Sequence, residues 1–304
     1  MLFRHLSAQA ASILAIAALA IGGLGPASAA TAAGTAQTNK QAAYDGTTIT
    51  PVGYSVVNGQ PDLSTPLDAS GLTAPVGYTS VAANFMTAES IIGPDNRRQI
   101  KNTRGVPYRA VAELSGNSLS GCTGWLISAD TMVTAGHCVF SAASVRWTTN
   151  FEVRPGRNGD QTPYGSCRPN QVWTDQRWVS ERNWVYDWAV LKLDCSVGQQ
   201  TGWFGFRTAS DAKLKGLPVT VTGYPGDKPL GTMWSDSNKV ASVTPAKVFY
   251  PVDTMGGQSG SPVYDSNRQA VAIHNYGTSA SYPQNSGTRL SPQLFSTLAR
   301  LKDR

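Results

Sequence analysis

Three short segments hold side chains whose types and order could carry out nucleophilic acyl transfer. VTAGHC (133–138) supplies His137, YDWAVLKL (186–193) supplies Asp187, and GGQSGSPV (256–263) supplies Ser259. A serine hydroxyl is a poor nucleophile at neutral pH and needs a base within hydrogen-bond reach; a neutral imidazole has a suitable pKa. The imidazole needs a buried carboxylate that fixes its tautomer and stabilises the imidazolium. Each segment alone is ambiguous, since a histidine beside a cysteine, a serine between glycines and an aspartate opening a strand are common structural features. In the order His137, Asp187, Ser259, tens of residues apart, they read as base, orienting carboxylate and nucleophile. Gly257 is small enough for its backbone to face a substrate, so the N–H groups of Gly257 and Ser259 could form an oxyanion hole. Losing one such donor typically costs about 3 kcal/mol of transition-state stabilisation.

The elements that must position these residues are short strands. RAVAEL, TGWLIS, TMVTA, DWAVLKL, LPVTVTGY and QAVAIH are apolar or alternating, and PGRNG, YPGDKP and DSNRQ between them are turn chemistry. No long amphipathic helix interrupts residues 105–290, which predicts an antiparallel all-β barrel or sandwich. One helix is predicted over about 291–303. Ser291 can cap it, Pro292 suits its first position, and Leu294, Leu298 and Leu301 share a face.

The chain begins with the pattern of an export signal over residues 1–29. Arg4 is its basic part, AASILAIAALAIGGLG its apolar run and ASA at 27–29 its small-residue cleavage site. Residues 30–89 are rich in Ala, Thr, Gly, Ser and Pro, contain PVGY twice, and carry a net charge of −3. They read as a linker or as a pro-segment, the second being favoured. Subtracting that −3 and the +1 of Arg4 from the chain's +6 leaves +8 for residues 90–304. That stretch holds all eight tryptophans and all four cysteines and is long enough for a sizeable core. Its basic residues are scattered, without a basic helix or an aromatic-basic array, which argues against nucleic acid as a partner. In an exported chain Cys122, Cys138, Cys167 and Cys195 suggest two disulfides with three possible connectivities. With no CxxC and no paired histidines, a zinc site is not expected.

TAGHC, DWAVLKL and GQSGSP resemble the signatures of chymotrypsin-fold serine proteases. SIIGPDNRRQ, CTGWLI, PGRNG, VTGYPGDKP, DTMGGQSGSPVY, VAIHNYG and GTRLSPQLF, in that order, narrow the resemblance to secreted bacterial glutamyl endopeptidases over nearly all of residues 90–304. The resemblance implies two six-stranded antiparallel β-barrels, about 105–200 and 201–290, with the active site between them. It implies a Cys122–Cys138 bridge at the histidine loop; Cys167 would then pair with Cys195. It also implies that the mature N-terminal residue, here Ser90, lies near the specificity pocket, that His274 with Thr254 receives a glutamate side chain, and that no trypsin-like activation ion pair exists, since Gln258 precedes Ser259.

The resulting expectation is an exported serine endopeptidase cleaving after Glu and less readily after Asp. Glu89-Ser90 is the natural maturation bond, one that a Glu-specific enzyme could cut in its own precursor. Asp253, six residues before Ser259, lies where trypsin-like enzymes keep the carboxylate that selects Arg and Lys, so that specificity is the alternative. A secreted, non-catalytic protease-like binding protein is a further alternative, disfavoured because all three catalytic residue types are present. No metal or cofactor is expected to take part in the chemistry, and a structural calcium ion is left open. The expected partners are protein or peptide substrates and the chain's own pro-segment, with no membrane association after signal removal and a monomeric state.

Overall fold

The computed structural model describes residues 48–75 and 88–304. The expected signal peptide, and residues 30–47 and 76–87 of the expected pro-segment, lie outside the described residues.

Two curled sheets carry the fold, with few helices among the described residues. The first runs in the order Thr149–Pro155, Val111–Asn117, Leu119–Leu126, Thr131–Thr134, Ala189–Leu193 and Pro169–Asp175. These are the six strands expected of barrel one. Two further strands, Pro51–Val57 and Gln60–Pro61, extend its Pro169–Asp175 end, and both belong to the N-terminal 30–89 stretch. The first PVGY therefore forms strand, where composition alone indicated only a linker or pro-segment; all but Pro75 of the second lies outside the described residues.

The second sheet contains Pro218–Gly223, Trp234–Lys239, Lys247–Tyr250, Pro262–Tyr264, Gln269–Tyr276 and Asn285–Arg289. Three two-residue strands at Arg98–Gln99, Gly205–Phe206 and Ser242–Val243 add to these six. Period-two sequences dictate these elements, because alternate side chains of a strand face the core. Gln269–Tyr276 is central and, after its first residue, wholly buried.

The C-terminal helix spans Pro292–Lys302, with the Ser291 hydroxyl accepting from the Leu294 N–H at 3.2 Å. Leu294, Leu298 and Leu301 are buried as their spacing predicted. Among the described residues no helix is long and apolar enough to cross a membrane.

Candidate active site

His137 and Asp187 meet because their strands are neighbours. Thr131–Thr134 pairs with Ala189–Leu193, with Thr134 opposite Ala189. Just beyond one strand the turn Gly136–Cys138 presents His137, and just before the other the turn Trp184–Tyr186 ends at Asp187. Asp187 Oδ2 lies 2.7 Å from His137 Nδ1, and Asp187 Oδ1 accepts the His137 backbone N–H at 2.7 Å. One carboxylate thereby fixes both the ring and the turn that carries it. Cys122 and Cys138 are bonded, tying that turn to the Leu119–Leu126 strand. Cys167 and Cys195 form the second bridge.

Asp187 is fully buried, and its remaining acceptor capacity is filled from the second sheet. The Tyr276 hydroxyl donates to Oδ2. Asn275 Nδ2 and Thr288 Oγ1 donate to the Asp187 carbonyl at 2.8 and 3.2 Å. The Gln269–Tyr276 strand changes register between His274 and Tyr276. Such a bulge re-aims side chains that strict alternation would send to opposite faces. His274 turns towards Tyr250 while Asn275 and Tyr276 both reach Asp187. Motif spacing around His137, Asp187 and Ser259 does not reveal these partners; HNYG offered polar side chains but no sign of the bulge.

Behind them lies Lys247, fully buried. Its Nζ is 2.9 Å from Thr288 Oγ1 and 4.7 Å from the centroids of both the Trp184 and Tyr276 rings. Burial pushes this lysine down to about 7, against the pull of Asp187. Burial would also raise Asp187, but the charge and hydrogen bond of His137 outweigh it and hold the carboxyl below its ordinary range. For His137, burial opposes protonation, yet Asp187 and then Glu89 outweigh it and the net direction is up.

Ser259 precedes the Pro262–Tyr264 strand, which pairs with Gln269–Tyr276. The Gly260 N–H donates to the His274 carbonyl at 2.7 Å, and the Thr123 N–H of the first sheet donates to the Ser259 carbonyl at 2.8 Å. The Ser259 loop is thus pinned between the two sheets. Gly257 has φ +101°, and a Cβ there would lie 2.5 Å from the Tyr224 carbonyl oxygen; only glycine fits both conditions. The Gly256 carbonyl accepts from the Gly226 N–H at 2.6 Å, and in a trans peptide this turns the Gly257 N–H the opposite way.

The Ser259 hydroxyl donates to the carboxylate of Glu89, which is itself buried. Burial pushes the Glu89 carboxyl up, only partly offset by His137 and the serine. Glu89, His137, Trp178, Ser259 and Tyr276 line one open cleft.

Next to this centre are His274 and Thr254, both fully buried. Tyr250 Oη lies 2.7 Å from His274 Nδ1. Among the described residues, His274 Nε2 and Thr254 Oγ1 have no hydrogen-bond partner. Burial, followed by the charges of His137 and Lys247, pushes His274 down to about 3, so the ring is neutral. Ser90 adjoins: its carbonyl accepts from Thr254 N–H at 3.2 Å and from Asn285 Nδ2 at 2.6 Å. Asp253 is buried, and its carboxylate accepts from Ile92 N–H and Asn96 N–H at 2.8 Å each and from Asn96 Nδ2 at 3.1 Å.

Comparison with known proteins bears on this geometry. Residues 122–273 match the trypsin-like peptidase domain. A glutamyl endopeptidase of Bacillus licheniformis is 37% identical over 71% of this chain and 70% of its own length. A Bacillus subtilis protein named extracellular metalloprotease is 39% identical over 78% of this chain and 79% of its own. A solved structure of Glu endopeptidase in complex with MPD superposes with TM-score 0.67 at 29% identity, covering 70% of this chain and all of that one.

The name of the Bacillus subtilis relative raises a metal as a question of fit. Among the described residues, the groupings of three potential ligands are Cys122 with His137 and Cys138, and Cys167 with Asp194 and Cys195. In both, the cysteines are locked in disulfides and offer no thiolate. Neither grouping fits a metal. With its chymotrypsin-like pair of sheets and these relatives, the chain belongs to the trypsin-like peptidases and is a serine endopeptidase related to the bacterial glutamyl endopeptidases.

Proposed function

We propose that this is an exported, monomeric serine endopeptidase, made as a precursor, that cleaves protein substrates after Glu and less readily after Asp. The observation that carries the specificity is the pair of buried, unpartnered atoms His274 Nε2 and Thr254 Oγ1 beside the catalytic centre. Burying a polar atom without a partner costs about 1–3 kcal/mol, so two together favour a ligand that supplies acceptors. A glutamate carboxylate does so. We assign the Tyr250 hydroxyl as the donor to Nδ1, which leaves the His274 proton on Nε2 for the incoming carboxylate. The imidazole is neutral in the free protein, so the pocket presents donors rather than a standing charge.

Cleavage then follows from the chain's own groups. His137, held by Asp187, takes the Ser259 proton as the hydroxyl attacks the carbonyl carbon of a P1 glutamate. The oxyanion is received by the N–H groups of Gly257 and Ser259. His137 passes the proton to the leaving amine, and water attacks the acyl-enzyme by the same route. Neither the chemistry nor the pocket calls for a cofactor. The alternative preference for Arg and Lys loses its support, because Asp253 spends its carboxylate on Ile92 and Asn96.

Residues 30–89 act as the pro-segment. In the uncut chain the Glu89 carboxylate, not its carbonyl carbon, meets Ser259, while the pocket atoms that would take that side chain stay unpartnered. This holds the precursor inactive, and the Glu89-Ser90 bond is cut by another molecule rather than in place. The functional reading is tested by digesting a mixed peptide pool and reading P1 residues by mass spectrometry. Cuts concentrated after Glu are expected, and Ser259→Ala abolishes them. Cuts after Arg and Lys with Glu spared would refute the specificity.

A further inference from the structure

The pro-segment touches the catalytic domain at more than its cut end. Pro51–Val57 adds an antiparallel strand to Pro169–Asp175, in a register that runs from Gln171 opposite Ser55 to Asp175 opposite Pro51. The buried Asp175 carboxylate accepts the Thr50 N–H at 3.0 Å, and the Gln176 N–H donates to the Thr50 carbonyl at 2.8 Å. Gly53 lies face-on against the Trp173 ring, where a Cβ would fall 2.3 Å from ring carbons. Trp173 is 1% exposed, with the Arg304 guanidinium stacked on it at 5.4 Å.

A second anchor follows on the C-terminal helix. Leu72 is 1% exposed, the Thr297 hydroxyl donates to its carbonyl at 3.1 Å, and Arg300 donates to the Gly71 carbonyl. Arg304 donates to the carbonyls of Asp68 and Ser70. None of these contacts involves His137, Asp187 or Ser259.

We propose that residues 48–75 are a docking module that stays on the catalytic domain after the Glu89-Ser90 bond is cut, so that maturation first yields a non-covalent complex. This rests on the reading of residues 30–89 as a pro-segment. The module's contacts do not depend on the bond being cut. Main-chain pairing along the strand supplies affinity, and side chains on alternate positions supply specificity, as in strand addition to a sheet edge generally. The edge it covers would otherwise present unpaired backbone groups along Pro169–Asp175 and uncover Trp173. Because Pro51–Val57 and Leu72 belong to one short segment, binding of either anchor holds the other at high effective concentration. Asp175 also caps the Gln176–Glu181 helix by accepting the Arg177 N–H at 3.0 Å, and that helix carries Trp178 of the catalytic cleft. The docked strand therefore braces one wall of the cleft.

The test severs the link without relying on self-processing. In the full chain carrying Ser259→Ala, residues 79–84 are replaced by the recognition sequence of an unrelated sequence-specific protease. The folded protein is cut and examined by native mass spectrometry and gel filtration. The two fragments are expected to travel together in one-to-one complex; a segment that elutes free once cut overturns the proposal. Gly53→Val in the same chain is expected to weaken the complex tenfold or more. Leu72→Asp, on the other anchor, gives the same reading should Gly53→Val impair folding. Retention unchanged in both also overturns it. Whether the wild-type chain is cut between Glu89 and Ser90 is read separately by N-terminal sequencing, so failure of that reading is distinct from failure of docking.

Discussion

Replacing His274 by alanine isolates the residue that is proposed to choose the cleavage site. In the bound state Nε2 would donate to a substrate carboxylate inside a site where His274 and Thr254 are both fully buried. A hydrogen bond from a neutral donor to a charged group is worth about 1.5–3 kcal/mol. Thr254 Oγ1 remains to serve one carboxylate oxygen, and water can enter the space vacated by the ring, so a loss of about 3 kcal/mol follows. At 1.36 kcal/mol per tenfold in rate, kcat/KM for a P1 glutamate peptide should fall about a hundredfold. A P1 glutamine peptide of the same sequence makes only a neutral contact worth about 1 kcal/mol and should lose about fivefold. The assay measures kcat/KM for both peptides, together with the rate at which a small fluorophosphonate, which has no P1 carboxylate, labels Ser259. Contraction of the Glu-over-Gln preference with labelling nearly unchanged supports the reasoning. An equal loss for both peptides and for the labelling rate would refute it, since His274 would then be holding the Ser259 loop through its backbone.

The same histidine has a signature in stability. Its pKa is about 3 in the fold, below its ordinary value, so unfolding takes up a proton. Its contribution is complete above about pH 6.5 and is lost as pH falls towards 3, at roughly 1.4 kcal/mol per pH unit; denaturant titrations of Ser259→Ala with and without His274→Gln should differ by that slope. If the first cut is made between molecules, the rate of precursor processing rises with protein concentration, and Glu89→Gln strongly slows cutting between residues 89 and 90, both read by N-terminal sequencing. Lys247 lowers the proton affinity of His137, so Lys247→Met should move the acid limb of the kcat/KM profile to higher pH; an unmoved limb would mean that the buried ammonium does not act on the catalytic pair.

Much of this protein was written in local sequence. Period-two apolar segments and Gly/Pro turns sufficed for an all-β reading, because alternation across a strand is a one-dimensional signal. Ser291, Pro292 and the leucines at 294, 298 and 301 announced the final helix for the same reason. The candidate residues His137, Asp187 and Ser259 were named from three motifs, and the motif around Ser259 carries a backbone requirement at Gly257. What only the tertiary structure decided depends on groups far apart in the chain. Asp253 could have faced the pocket or turned away, and its direction was settled by Ile92 and Asn96, some 160 residues earlier. The partners that saturate Asp187 come from a strand bulge at His274 to Tyr276 and from Thr288. The Pro51–Val57 strand was missed although Val52, Tyr54, Val56 and Val57 are apolar, because the surrounding Ala, Thr, Gly, Ser and Pro read as linker. It becomes a strand only when the Pro169–Asp175 edge offers it backbone partners and a tryptophan face. Sequence names the residues that can do chemistry; register and packing decide which of them meet, and what covers them.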